Sequence, residues 1–270
     1  MFEWRVYKGA IIPGAPPHTE PGPEDVLRAK KLGKYRFISY TTDFDCPEET
    51  AWWYVLKDAP LHLEDIPSQN MRYKIRKGLK YVEVRKIDGK DYGEALYDCY
   101  LKAQKRYKAY GGSASKEIFM ERLQTDPADY YAAFFRETGQ LVAYMRNDVY
   151  DDYVDMTVIK YDPDFLKYQI SAALTYQVVH DYMEDGRYKY VLDGQRAIRH
   201  KTNIQEYLEH NFGFRKAYCR LNIVYSPSMK LLVSIAYPFR KLLERLAGER
   251  VFFNNVLSVL NMEQIRRECK

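Results

Sequence analysis

Cysteine is sparse in this chain of 270 residues, and its four copies (Cys46, Cys99, Cys219, Cys269) are scattered. None forms a CxxC pair or lies near two histidines. That pattern excludes a zinc module of ordinary spacing and a disulfide framework, and it suits a reducing compartment. Metal ligands are therefore not expected. Long apolar runs are missing too: Leu231 to Phe239 is broken by Ser234 and falls short of the ~20 residues needed to cross a bilayer. The N-terminal residues carry charge and have no apolar signal core, so the expected location is cytoplasmic, with the inner-membrane surface open as a peripheral site. There is no P-loop, dinucleotide fingerprint, HExxH or GxSxG, so nucleotide hydrolysis, zinc proteolysis and serine hydrolysis lack their usual machinery. Low-complexity segments and internal repeats at a solenoid period are also absent.

Charge of one sign is scarce as well. Lys plus Arg exceed Asp plus Glu by 42 − 37 = 5. That excess is too small for a dedicated nucleic-acid binder, and it suits either a phosphate-bearing ligand or a slightly basic solvated surface. The hydrophobic fraction of 46% is enough for a packed globule. Tyrosine is abundant, with 26 residues, and it clusters at Tyr92, Tyr97, Tyr100, Tyr107 and Tyr110 and again at Tyr150, Tyr153, Tyr161 and Tyr168. Tyrosine packs on strand faces and also lines amphipathic grooves.

Periodicity predicts a strand over Glu3 to Ile12, a Pro-rich loop, and strands at Lys34 to Thr42 and Trp52 to Leu56. Ser68 caps a helix carrying Met71, Ile75 and Leu79 on one face and Arg72, Lys74, Arg76, Lys77 and Lys80 on the other. The strand Tyr81 to Ile87 follows. Helices at about Tyr92 to Tyr110 and Ser115 to Gln124 are separated by Gly111-Gly112. Three strands then form a meander: Tyr130 to Glu137, Gln140 to Val149 and Tyr153 to Lys160. Phe165, Tyr168, Ala172, Tyr176, Val179 and Met183 mark the long helix after Asp162-Pro163. A strand over Tyr188 to Leu192 comes next, then a helix from Asn203 with a Thr202/Gln205 capping box. Beyond Gly213-Phe214 lie a strand, Arg215 to Tyr225, and amphipathic helical sequence.

The order from Tyr130 to Tyr225 resembles the second half of the acyl-CoA N-acyltransferase (GNAT) superfamily. Tyr161-Asp162-Pro163 with the long helix, Tyr190-Val191-Leu192, and Asn203 to Phe214 (NIQEYLEHNFGF) carry the likeness. MRYKIRKGLKYVEVR (Met71 to Arg85) and Leu192-Asp193-Gly194 are similar to segments of the Fem-like aminoacyltransferase branch. The resemblance spans roughly residues 60 to 225 as a pattern of elements with few matching letters. It implies an α/β (α+β) fold with a mixed, mostly antiparallel central sheet flanked by helices. The organisation expected is a partial N-terminal half (1–127), a GNAT-like half (128–226) and a helical extension (227–270).

The resemblance further implies transfer of an acyl or aminoacyl group, from coenzyme A or tRNA, onto an amine. The acceptor would be a small molecule or a peptide or sugar precursor of the cell envelope. In that family the pyrophosphate of acyl-CoA sits at the start of the long helix. This implies cofactor contacts from Val158, Ile159, Lys167, Gln169, Ile170, Ser171 and Ala172, and from Asn203. Gln169 and Ser171 occupy places where the family has glycine, and Leu166 stands where it has Arg or Gln. The family's acid, a tyrosine four residues before Gly-Phe, is replaced by Glu209, with Tyr207 one step away. Asp155 in mid-strand and Asp193 at a strand end complete the catalytic candidates, each with a plain structural alternative of solvent-facing or turn-forming carboxylate.

Arg196, Arg199, His200 and Lys201 before the helix start make either an anion site or a solvated loop. The basic face of residues 68 to 80 suits either a tRNA backbone, an acidic lipid-linked carrier or solvent. Residues Met229 to Arg250 have the composition of an interfacial helix, so a membrane surface, the protein's own domain or a second subunit is expected to receive them. A catalytically inactive binding module on the same fold is the rival functional reading.

Overall fold

A computed structural model describes residues 2–106, 114–198, 203–247 and 251–269, with side chains omitted for 246–247 and 251–254. Tyr107, Tyr110, Gly111, Gly112, Arg199, His200, Lys201, Thr202 and Arg250 therefore lie outside the described residues, and with them the Thr202 half of the capping box. The chain divides into two compact units, one of residues 55–194 and 203–215, the other of residues 1–54, 195–202 and 216–270.

In chain order the elements are β1 (Trp4–Tyr7), β2 (Ala10–Pro13), α1 (Pro23–Ala29), β3 (Phe37–Cys46), β4 (Trp52–Lys57), α2 (Gln69–Tyr81), β5 (Val82–Ile87), α3 (Gly93–Arg106) and α4 (Lys116–Thr125). They continue as β6 (Asp129–Phe135), β7 (Leu141–Val149), β8 (Tyr153–Tyr161), α5 (Ile170–Met183), β9 (Tyr190–Gln195), α6 (Asn203–Phe212), β10 (Arg215–Tyr225), α7 (Pro227–Ala236), α8 (Arg240–Ala247) and α9 (Val251–Glu268).

The larger unit is built on the meander. β5, β6, β7 and β8 pair antiparallel in sequence, and β9 joins β8 in parallel. Alternation along β6 sends Tyr130, Ala132 and Phe134 into a cluster with Leu96 and Cys99 of α3 and Leu123 of α4. The odd positions face the other way: Tyr131 meets Tyr182 of α5, and Phe135 meets Tyr168. The sheet is thus sandwiched between α3/α4 and α5, a mixed and mostly antiparallel sheet flanked by helices as the sequence pattern implied. Of the described tyrosines in the two sequence clusters, Tyr92 and Tyr100 pack on the α3/α4 side of the sheet, and Tyr153 is buried. Cys99 lies on that side too, and burial pushes its thiol up to about 12.

In the smaller unit the first predicted strand is two strands. Lys8 and Gly9 both adopt positive φ, 48° and 80°, which closes a two-residue hairpin between β1 and β2. β2 continues in parallel onto β3, and β3 pairs antiparallel with β10. Helix α1, to which the sequence reading assigned no element, starts on Pro23 at the end of the Pro-rich loop, where a missing N–H costs nothing. Val233 of α7 packs on Leu257 and Leu260 of α9. Trp52, Cys219, Leu221, Ile265 and Cys269 form another cluster there. Among the described residues no helix is long and apolar enough to cross a membrane.

Candidate functional site

Two features of the larger unit bring the candidate residues together. The first is a fork in the sheet. β8 and β9 pair only through Tyr153↔Tyr190, Val154↔Val191 and Asp155↔Leu192. β8 nevertheless runs on to Tyr161 and β9 to Gln195, so the strands part at this point. Asp155 is the last paired residue on one arm, and Asp193 is the first residue past the pairing on the other. Asp193 is half-buried. Burial, and secondarily the Asp155 charge, push its carboxyl up to about 7. A carboxylate that titrates near neutrality is one that can both take and return a proton in water. The carbonyl of Asp193 accepts from Gln205 Nε2 of α6 at 3.3 Å, which ties that helix to the fork. Gln205, half of the expected capping box, thus has a tertiary partner.

The second feature is the start of α5. The predicted long helix is in fact two pieces. Asp162 caps a 3-10 turn over Pro163–Tyr168, its Oδ1 accepting from the Asp164 N–H at 3.1 Å. Asp162 is itself buried and held by Lys102 at 3.1 Å. Gln169 then takes the left-handed conformation, φ 63° and ψ 31°, and α5 begins at Ile170. A left-handed backbone is where glycine is at home. The path expected of a glycine is therefore followed by Gln169, although the side chain differs. The N–H groups of Ile170, Ser171 and Ala172 have no carbonyl within their own helix, as at any helix start, and face the end where the dipole is positive.

Helix α2 fixes this start from below. A Cβ on Gly78 would lie 2.6 Å from the Gln169 carbonyl oxygen and 2.7 Å from Ala173 Cβ, so α2 and α5 meet backbone to backbone there. The Ser68 cap is present, its hydroxyl accepting from the Met71 N–H at 3.2 Å. The buried face of α2 carries Met71 and Ile75 as its spacing predicts, joined by Gly78, while Leu79 is only half-buried.

Asp155 and Asp193 are brought together at the fork. Tyr207 of α6 and Ser171 of α5 are brought together as well: their hydroxyls are hydrogen-bond partners, while burial drives the phenol up to about 12. Ile170 and Ala172 are buried and anchor the helix start. Lys167 is exposed, its ammonium 5.2 Å from the Tyr168 ring centre. Asn203 is exposed as the first residue of α6, and Glu209 is half-buried on the same helix. Val158 and Ile159 line a cavity of ≈ 550 Å³ between β6–β8 and α3/α4, with Tyr100, Tyr130, Arg146 and Lys160.

Arg196, counted with the basic run before α6, is engaged elsewhere. Its guanidinium lies 4.6 Å from the Trp53 ring centre and donates to the Ala51 carbonyl. One ligand set escaped the sequence reading: His62, His180 and Glu184 place metal-type donor atoms within 4.8 Å of one another. His180 and Glu184 are four apart on the last turn of α5 and beyond, a spacing that could have flagged them, but His62 arrives from a distant loop. The set belongs to the opposite end of α5 from Gln169, roughly 16 Å away at 1.5 Å per residue.

No protein-family model matches the chain, and no curated protein matches its sequence. Solved structures do match in shape. L-PGS from Bacillus licheniformis aligns with a TM-score of 0.52 at 11% identity, over 86% of this chain and 84% of that one. A C-terminal domain from Agrobacterium fabrum, assigned as a lysylphosphatidylglycerol synthetase, aligns with a TM-score of 0.53 at 9% identity, over 88% and 85%. FemX aligns with a TM-score of 0.48 at 8% identity, over 72% and 66%. At such identities the likeness is one of fold, and the fold is GNAT-like.

Proposed function

We propose that this protein transfers an acyl or aminoacyl group from a phosphate-bearing carrier onto an amine. The observation that carries this reading is the Asp193 carboxyl at the sheet fork, held near neutrality by burial and Asp155. Transfer to an amine needs a group that takes a proton as the C–N bond forms, and an acid that returns one to the departing sulfur or oxygen. Asp193 has the proton affinity for the first task. Tyr207 suits the second: its phenol, raised to about 12 by burial, keeps its proton at neutral pH and has Ser171 as a hydrogen-bond partner.

The carrier, coenzyme A or tRNA, supplies the activated carbonyl. The backbone at Gln169 to Ala172 fits its phosphate, since helix-start N–H groups bind anions without needing a particular side chain. Lys167 adds an exposed cation in the turn just before them. The solved structures of like fold include lysylphosphatidylglycerol synthetases, which supports aminoacyl transfer by analogy of fold alone. A second reading, a binding module without catalysis, draws on the Gln169 and Ser171 side chains at places where the family has glycine.

Titration calorimetry of the full chain with acetyl-CoA, and filter binding with aminoacyl-tRNA, separate these readings when paired with Lys167→Glu. Binding of one donor, weakened in Lys167→Glu, and label transfer to an added amine that is lost in Asp193→Asn, are expected. Binding without any transfer would leave the module reading. No binding of either donor at millimolar concentration would discard the carrier site.

A further inference from the structure

Helices α7 and α8 of the smaller unit are joined by a 3-10 turn over Tyr237–Phe239, so the chain stays helical through Pro238. One side of this rod is buried: Val233 is in the core with Leu257 and Leu260 of α9, and Ala236 and Leu243 pack against them. The other side is apolar and bare. Leu231, Leu232, Ile235, Phe239 and Leu242 are each 54–62 % exposed. The steps 231, 235, 239 and 242 are helical steps of four, four and three, so these side chains form one stripe along the rod. Scattered single apolar residues on a surface need no explanation, but a contiguous stripe does.

The flanks of the stripe are cationic. Lys230, Lys241 and Arg245 are exposed along the same rod, against one exposed carboxylate, Glu244. Arg240 is not one of these cations: it lies over the Tyr237 ring and donates to Gln264 of α9 at 3.3 Å, on the covered side. Large aliphatic side chains rimmed by lysine and arginine match the two layers of an anionic bilayer surface, acyl chains below and charged headgroups above. Two copies of this chain pressed together along the stripe would set these cations against themselves, because a two-fold interface brings each patch onto its own image. A nucleic acid offers phosphate for the cations and nothing to cover the leucines.

We infer that the α7–α8 rod is a membrane-surface anchor, lying flat with Leu231, Ile235, Phe239 and Leu242 among the acyl chains of an anionic lipid leaflet. This inference does not rest on the transferase reading. It concerns the other unit and would hold for a protein without activity.

The test is co-sedimentation of the full chain with vesicles of equimolar phosphatidylcholine and phosphatidylglycerol, and with phosphatidylcholine alone. Binding to the mixed vesicles, falling as salt rises and much weaker on the neutral ones, is expected. Ile235→Asp/Phe239→Asp should abolish it. Lys230→Glu/Lys241→Glu, which removes no buried contact, should weaken it by about tenfold or more, at about 1 kcal/mol per cation near a charged surface. Thermal melts of both variants serve as the folding control, and the lysine pair decides if the apolar pair melts early. Absence of wild-type binding, or equal binding by wild type and the lysine variant, would overturn the inference. So would a solution dimer that Ile235→Asp/Phe239→Asp dissociates, since the stripe would then belong to a second copy.

Discussion

Gly78 of α2 stands directly against the Gln169 carbonyl, leaving 2.6 Å where a Cβ would have to fit. The obstacle is backbone, which cannot swing aside as the end of a long side chain would. Alanine is worth about 1 kcal/mol over glycine inside a helix, and overpacking costs about 1–3 kcal/mol. Gly78→Ala should lose on balance, by up to about 2 kcal/mol in urea denaturation. Because the displaced group is the turn that starts α5, donor binding should weaken as well. A variant as stable as wild type would show that the two helices can slide apart freely.

Gln169 holds a left-handed backbone that costs an ordinary residue about 1 kcal/mol or more. Gln169→Gly removes that cost and adds back some chain freedom in the unfolded state. The expected net is a small gain in melting temperature. If backbone N–H groups are what hold the carrier's phosphate, binding of acetyl-CoA should be retained or tightened. Loss of binding would instead assign the contact to the Gln169 amide.

Asp193 makes stability and activity depend on pH in opposite directions. Its folded carboxyl, at about 7, lies above the ordinary 3.8, so the folded state holds a proton that the unfolded chain has released. This group therefore costs nothing below about pH 4. The cost grows as pH rises toward 7 and is constant beyond. Asp193→Asn should raise stability at pH 8, by on the order of 2–4 kcal/mol, and leave it nearly unchanged at pH 4. Transfer activity in the wild type should climb through pH 7. Asp155→Asn removes the lesser of the two causes and should move that climb to lower pH. A pH profile unmoved by Asp155→Asn would separate the two carboxylates.

Glu263 works in the reverse sense. Its side chain is only 3% exposed and receives Arg266 and Arg267 at 2.8 Å and Tyr225 at 3.0 Å. Burial alone would raise the carboxyl, but the two guanidiniums outweigh it and hold it at about 2. Its stabilising contribution is complete above about pH 4.5 and is lost as pH falls toward 2. Glu263→Gln should lower stability at pH 7 by about 2–3 kcal/mol and make little difference near pH 2, read by chemical denaturation at both.

The sequence by itself determined most of the strands and helices of the larger unit and their order, but not the break at Gln169 that splits the long helix into a 3-10 turn and α5. Alternation in Tyr130 to Lys160 and the four-residue spacing of Met71 and Ile75 are local signals, because the side-chain period of a strand or helix is a property of the chain alone. That order was also enough to imply a GNAT-like fold. Where local signals compete, the sequence was less legible. Lys8-Gly9 splits one predicted strand into a hairpin, and the helix that opens on Pro23, the last residue of the Pro-rich loop, had no sequence reading at all. At the candidate site, the residue types were visible but not their meetings. Asp155 and Asp193 are 38 positions apart, and only the limited pairing of β8 with β9 places one carboxylate where it can act on the other. Ser171 and Tyr207 meet because α6 returns to the start of α5. Whether the stripe of Leu231, Ile235 and Phe239 is core or surface was likewise decided by tertiary structure, since a helix has two sides and α9 covers only one of them. Contacts between distant segments carry no local period, and a buried carboxylate acquires its proton affinity only from what packs around it.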